Sequence, residues 1–109
     1  MVGTIEKPDT ESSLKLDNSF PESVIMIHLG AGRYAAYHFT TQGSDPMEVD
    51  CLVCFKSSDQ ASFWEAAYGK GEQVTKTFDE AREIDINKPK IHGLALIEDL
   101  KVFDIHFVR

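Results

Sequence analysis

The sequence predicts an α+β fold: a two-layer sandwich in which one mixed, five- to six-stranded sheet carries two helices on one face. Three observations lead there. The apolar residues fall into an order β-β-β-α-β-α-β-β. The two helical segments each open on a capping signature. The flanking runs are rich in Val, Ile and aromatic residues and break at Gly-containing turns. With 109 residues, 42% of them hydrophobic, the chain suits one domain with a core that needs no metal or disulfide staple.

Residues 1–22 read as a flexible tail. After Ile5, only Leu14, Leu16 and Phe20 are sizeable apolar groups, too few to offset the entropy of ordering. A short strand over residues 13–17 is the minor reading, because Leu14 and Leu16 alternate. The folded domain is expected over residues 23–109. Residues 24–29 and 33–41 form two strands about the Gly30-Ala31-Gly32 turn, placing His28 opposite Tyr34 and His38 opposite Val24. Residues 42–47, with Gly43 and Pro46, make a loop, and residues 48–55 a buried third strand.

Ser57, with Gln60 three residues on, opens the first helix, in which Ala61, Phe63, Trp64, Ala67 and Tyr68 recur at helical spacing until Gly69 and Gly71. Residues 73–77 are a short strand. Thr77 and Glu80 open the second helix, with Phe78, Ala81 and Ile84 on one face and Pro89 beyond its end. Residues 91–97 and 102–108 then form a hairpin turning at Glu98-Asp99. Phe103, Ile105 and Phe107 alternate with Asp104 and His106, so one face of the last strand is expected on the core. The central β-α-β-α-β stretch predicts two right-handed crossovers and a partly parallel sheet.

The net charge of −7, from 18 acidic and 11 basic side chains, argues against nucleic acid and anionic membranes, since phosphate binding needs clustered Lys and Arg. No apolar run reaches the roughly 20 residues of a membrane span, and residues 1–11 lack the features of a secretory signal. A cytoplasmic location is therefore expected, with Cys51 and Cys54 reduced.

Cys51-Leu-Val-Cys54 has C-x-x-C spacing, but inside a strand. There, positions three apart point to opposite faces about 10 Å apart, whereas a disulfide needs Cα atoms within about 7 Å. Two small buried side chains are expected. His28, His38, His92 and His106 all fall on predicted strands without metal-ligand spacing. Asp79, Glu80 and Glu83 cluster where acidic residues complement a helix dipole. Gly30-Ala31-Gly32 precedes a strand and not the helix N-terminus that a phosphate loop requires. Phe63 and Trp64 are adjacent, about 100° apart on a helix. Either both are core, or Trp64 lies at the margin, where an aromatic would suit an interface.

The expectation is a small soluble, non-enzymatic protein-interaction or regulatory module without catalytic residues, metal or cofactor. Its surface is expected to include Tyr34, Trp64, Tyr68, Asp104 and His106. Its partner is expected to be a protein, and a last strand at a sheet edge would also allow pairing with a second copy. Two alternatives stand beside it. One is a small-ligand or metal-binding domain that uses the strand histidines. The other is a small enzyme, with a site at a dimer interface, that uses His106 with Asp104, or Cys54.

Overall fold

The computed structural model describes residues 20–108. The tail expected at residues 1–22 lies outside them as far as residue 19, as does the strand weighed at 13–17. The elements run β1 (Ser23–Gly30), β2 (Arg33–Tyr34), β3 (Ala36–Thr40), β4 (Glu48–Cys54), α1 (Ser58–Tyr68), β5 (Glu72–Thr77), α2 (Phe78–Ile86), β6 (Gly93–Glu98) and β7 (Lys101–Phe107). The α+β class and the two helices stand as expected. The single sheet does not: among the described residues there are two, of order β2-β1-β5 and β3-β4-β6-β7.

The division falls at Ala35. The second arm of the first hairpin is broken there into β2 and β3. The Ala35 N–H donates to the Ile27 carbonyl of β1, and its own carbonyl accepts from Val53 of β4. One residue thus carries the chain from one sheet to the next. Ile25 and Phe55 exchange both backbone hydrogen bonds at 2.9 Å and close the junction from the other side. His28 does pair with Tyr34, but the break moves His38 opposite Asp50 instead of Val24. The expected crossovers also change. β5 pairs antiparallel with β1, and among the described residues only β4 and β6 run parallel.

The helices lie on opposite faces, which corrects the expected two-layer arrangement. Val49, Cys51 and Val53 of β4, with Ala95 and Ile97 of β6 and Ile27 of β1, pack with Ala61 and Trp64 of α1. The alternate residues Leu52, Cys54, Leu94, Leu96, Val24 and Met26 pack with Ala81, Phe78 and Ile84 of α2. Two-sided cover explains why β4 and β6 are apolar almost without interruption, a pattern that reads as a buried strand but does not say what covers each side. Each Leu, Ile or Phe so buried stabilises the fold by about 1.5–3 kcal/mol.

Both helix starts follow the sequence. The Gln60 N–H donates to the Ser57 hydroxyl at 3.3 Å. At α2 the capping box is reciprocal: the Glu80 N–H donates to Thr77 Oγ1, and the Thr77 N–H to Glu80 Oε1. Among the described residues no helix is long and apolar enough to cross a membrane.

Candidate functional site

The α1 face is only half covered. Trp64 is 3% exposed and packs against Phe55, Tyr37 and Tyr68 with ring centroids 5.9, 5.4 and 4.2 Å apart. Beyond Tyr37 the helix no longer reaches. On that side the central strands present small or fully buried residues: Val49 and Cys51 on β4, Gly93 and Ala95 on β6. The flanking strands are bulky, with Tyr37 and Phe39 on β3 and Val102, Phe103, Ile105 and Phe107 on β7. Low middle and high sides make an open groove of about 620 Å³ between β3 and β7, lined also by Thr40 to Gln42 and by Leu100.

Gly93 is what lets β7 lie close at this point. A Cβ there would collide with the His106 carbonyl and come within 2.9 Å of Phe107 Cα. The other end is held by a strained turn. Asp99 and Leu100 both adopt left-handed conformations, with φ of 52° and 66°. For a leucine this is unusual, and a left-handed residue costs roughly 1–2 kcal/mol. The turn is fixed from outside by Gln60 at the start of α1. The Gln60 amide donates to Asp99 Oδ1 at 3.1 Å, and its oxygen accepts from the Asp99 N–H at 2.8 Å. Two successive positive φ values are those of a type I′ turn, whose twist suits the two-residue connection between β6 and β7.

β7 departs from the alternation read in the sequence. Leu96 pairs with Asp104 but Ile97 with Val102, so Phe103 is the extra residue of a bulge. Phe103 and Phe107 are 56% and 45% exposed and border the groove without entering the core. The Lys56 ammonium lies 5.3 Å from the Phe103 ring centroid and pairs with Glu98 at 3.1 Å.

The residues expected to form an interaction surface come together only in part: Trp64 with Tyr68 on α1, and Asp104 with His106 on one face of β7. Trp64 anchors α1 in the core, and Tyr68 stands exposed beside it. Tyr34 sits elsewhere, 5.1 Å from the His28 ring and under the Lys88 ammonium. His106 belongs to the α2 face, where it stacks edge-on to Phe20 and Phe78 at 6.4 and 5.0 Å. Burial, and then the Arg82 charge, hold its pKa below the usual histidine range, while Asp104 pulls the other way. Asp104 borders the groove but pairs with Leu96 of the α2 face.

The four histidines are equally dispersed. His28 faces Glu72 at 3.5 Å. His92 Nδ1 accepts the Asp50 N–H at 3.1 Å. His38 lies between two carboxylates, Asp50 at 2.9 Å from Nδ1 and Glu48 at 3.0 Å from Nε2. Both ring nitrogens can donate only in the imidazolium, and these bonds raise its pKa, Asp50 foremost. Among the described residues no three His, Cys, Asp or Glu side chains could hold a metal ion together.

Cys51 and Cys54 are both buried and free, with side chains on opposite faces of β4. Desolvation, and then the Asp85 charge, push the Cys51 thiol up to about 12 and Cys54 upward as well. Both shifts favour the thiol over the nucleophilic thiolate.

Comparison of the chain with protein-family models, with curated proteins and with solved structures gives no match. The groove is therefore interpreted from its own chemistry. Sequence reading missed Phe39, Leu100, Phe103 and Phe107 as its walls. The available signal was small residues on two central strands flanked by aromatic ones.

Proposed function

We propose that this chain is a non-enzymatic interaction module and that the groove between β3 and β7 receives a segment of another polypeptide. The observation that carries this reading is the composition of the groove. Its walls are aromatic and aliphatic, its polar groups are those of Thr40, Thr41 and Gln42, and only Lys101 and Asp104 bring charge. Such a lining offers apolar burial and a few hydrogen bonds, with no nucleophile and base in reach of one another. Two free buried thiols accord with a reducing cytoplasm as its setting.

A second reading is a small apolar ligand in the same groove. It is favoured by the volume of about 620 Å³, within the roughly 300–1,000 Å³ of small-molecule sites. Native mass spectrometry of the untagged chain separates the two. A non-covalent mass containing a second polypeptide, lost on Phe107→Asp, is the expected result. A small-molecule adduct that vanishes on denaturation would transfer the groove to the second reading.

A further inference from the structure

We infer that protonation of His38 tunes the groove, through the strand that carries both His38 and one groove wall. The inference rests on the docking reading above.

β3 is an outer strand of its four-stranded sheet, where it pairs with β4. Its side chains alternate between the two faces. Tyr37 and Phe39 stack on each other with centroids 5.7 Å apart and form the groove wall. His38, between them in the chain, points to the opposite face. Whatever loosens β3 from β4 therefore moves that wall.

On the far face, β3 is tied to β4 by His38. It stands opposite Asp50, with Glu48 two residues along the same strand. The Val53 N–H donates to the Ala35 carbonyl, and the Thr41 N–H to the Met47 carbonyl. By alternation, His38 and Asp50 are then a non-hydrogen-bonded pair, in which facing side chains come closest. Nδ1 lies 2.9 Å from Asp50 Oδ1 and Nε2 3.0 Å from Glu48 Oε1. Among the described residues, these are the ion pairs that join the two strands.

Both contacts are hydrogen bonds only while both ring nitrogens carry protons. Loss of one proton turns a lone pair toward a carboxylate, and the ring must leave one of its two partners. The groups facing it from β4 are both acidic. Beyond them, His92 at the head of β6 accepts the Asp50 N–H through Nδ1 and so brings no proton to that side. The two carboxylates hold the imidazolium to a pH above the usual histidine value, Asp50 foremost. The tie is therefore complete below about 6.5 and is lost as pH rises through the higher folded value. Exposed ion pairs are weak, so the groove is tuned by a few-fold and not closed.

The test is amide hydrogen exchange of the full chain by NMR, corrected for intrinsic exchange, at pH values on both sides of the His38 ring titration. By the same alternation, the Tyr37 and Phe39 amides belong to the ladder with β4. Their protection should fall about two- to fivefold, the scale of one exposed ion pair, with the midpoint of the His38 ring. Amides within β6 should keep theirs. In His38→Gln, protection at Tyr37 and Phe39 should be low and independent of pH. Constant protection in the wild type, or an equal fall in His38→Gln, overturns the inference. A benzophenone side chain at Phe103, irradiated in lysate of the producing cell adjusted to each pH, separates this failure from that of the docking reading. The yield of its polypeptide adduct should fall as pH rises in the wild type and stay level in His38→Gln. An adduct whose yield ignores pH in the wild type overturns the inference and leaves the docking surface, while no polypeptide adduct at any pH removes both.

Discussion

Tyr37 stands edge-on to Trp64, with ring centroids 5.4 Å apart and planes at 83°, and that contact is the line at which the helical cover of the sheet stops. On one side of it Trp64 seals α1 to the core. On the other, Tyr37 becomes the wall of an open groove. The same ring serves stability and recognition, so substitutions on its two sides should separate the two.

Trp64→Ala should destabilise the fold by about 3–5 kcal/mol, the usual cost of removing a buried aromatic. Urea denaturation would show it as a lower midpoint. Phe63→Ala, one position away but 48% exposed, should change stability by less than about 0.5 kcal/mol. Equal losses at the two positions would contradict the placement of α1.

The turn at Leu100 makes a prediction of another kind. Leu100→Gly relieves a left-handed leucine but removes a groove wall, and the two effects on stability oppose each other. The midpoint should move by no more than about 1 kcal/mol equivalent, while association through the groove weakens. Gln60→Ala, which removes two exposed hydrogen bonds to Asp99, should destabilise by about 0.5–1.5 kcal/mol, and should speed amide exchange at 99–100.

Two histidines should shape the pH dependence of stability in opposite directions. The folded pKa of His38 is raised by Asp50 and Glu48. Its contribution is complete below the unfolded value of about 6.5 and is lost as pH rises through the folded one. The folded pKa of His106 is lowered by burial and Arg82. Its neutral form is retained at no cost above about 6.5, and stability is lost as pH falls through the lower folded value. Thermal unfolding across the neutral range should show His38→Gln flattening the alkaline limb and His106→Phe flattening the acidic one. A His38→Gln profile parallel to wild type would refute the carboxylate clamp.

Thiol labelling tests the burial of Cys51 and Cys54. Neither should react in the native state, and both should react in denaturant, because both are fully buried and desolvation holds the Cys51 proton up to about pH 12. Fast labelling of native Cys54 would contradict the two-sided cover of β4.

Much of the element order was legible. Thr77 with Glu80, Ser57 with Gln60, and Gly69 mark helix ends by local hydrogen bonding that needs no tertiary information. The His28–Tyr34 register followed from turn length. The sheet division was not legible, because nothing in Ala35 itself announces that its N–H and carbonyl serve different sheets. The helix faces were not legible either, since unbroken apolar runs such as residues 93–97 say that both sides are covered and not by what. The bulge at Phe103, which breaks the alternation read along the last strand, was not legible, because a bulge of one ordinary residue carries no compositional mark. Trp64, Tyr68, Tyr34, Asp104 and His106 were chosen for their chemistry, and tertiary structure keeps Trp64 beside Tyr68 and Asp104 beside His106 but sets the two pairs against different helices.

The most direct measurement is photo-crosslinking in the producing cell, with a benzophenone side chain at Phe103 and, as a control, at Glu83 on the exposed side of α2. A discrete polypeptide adduct at Phe103 and none at Glu83 is the predicted result. Adducts at both positions alike, or at neither, would contradict the assignment of the groove as the docking surface.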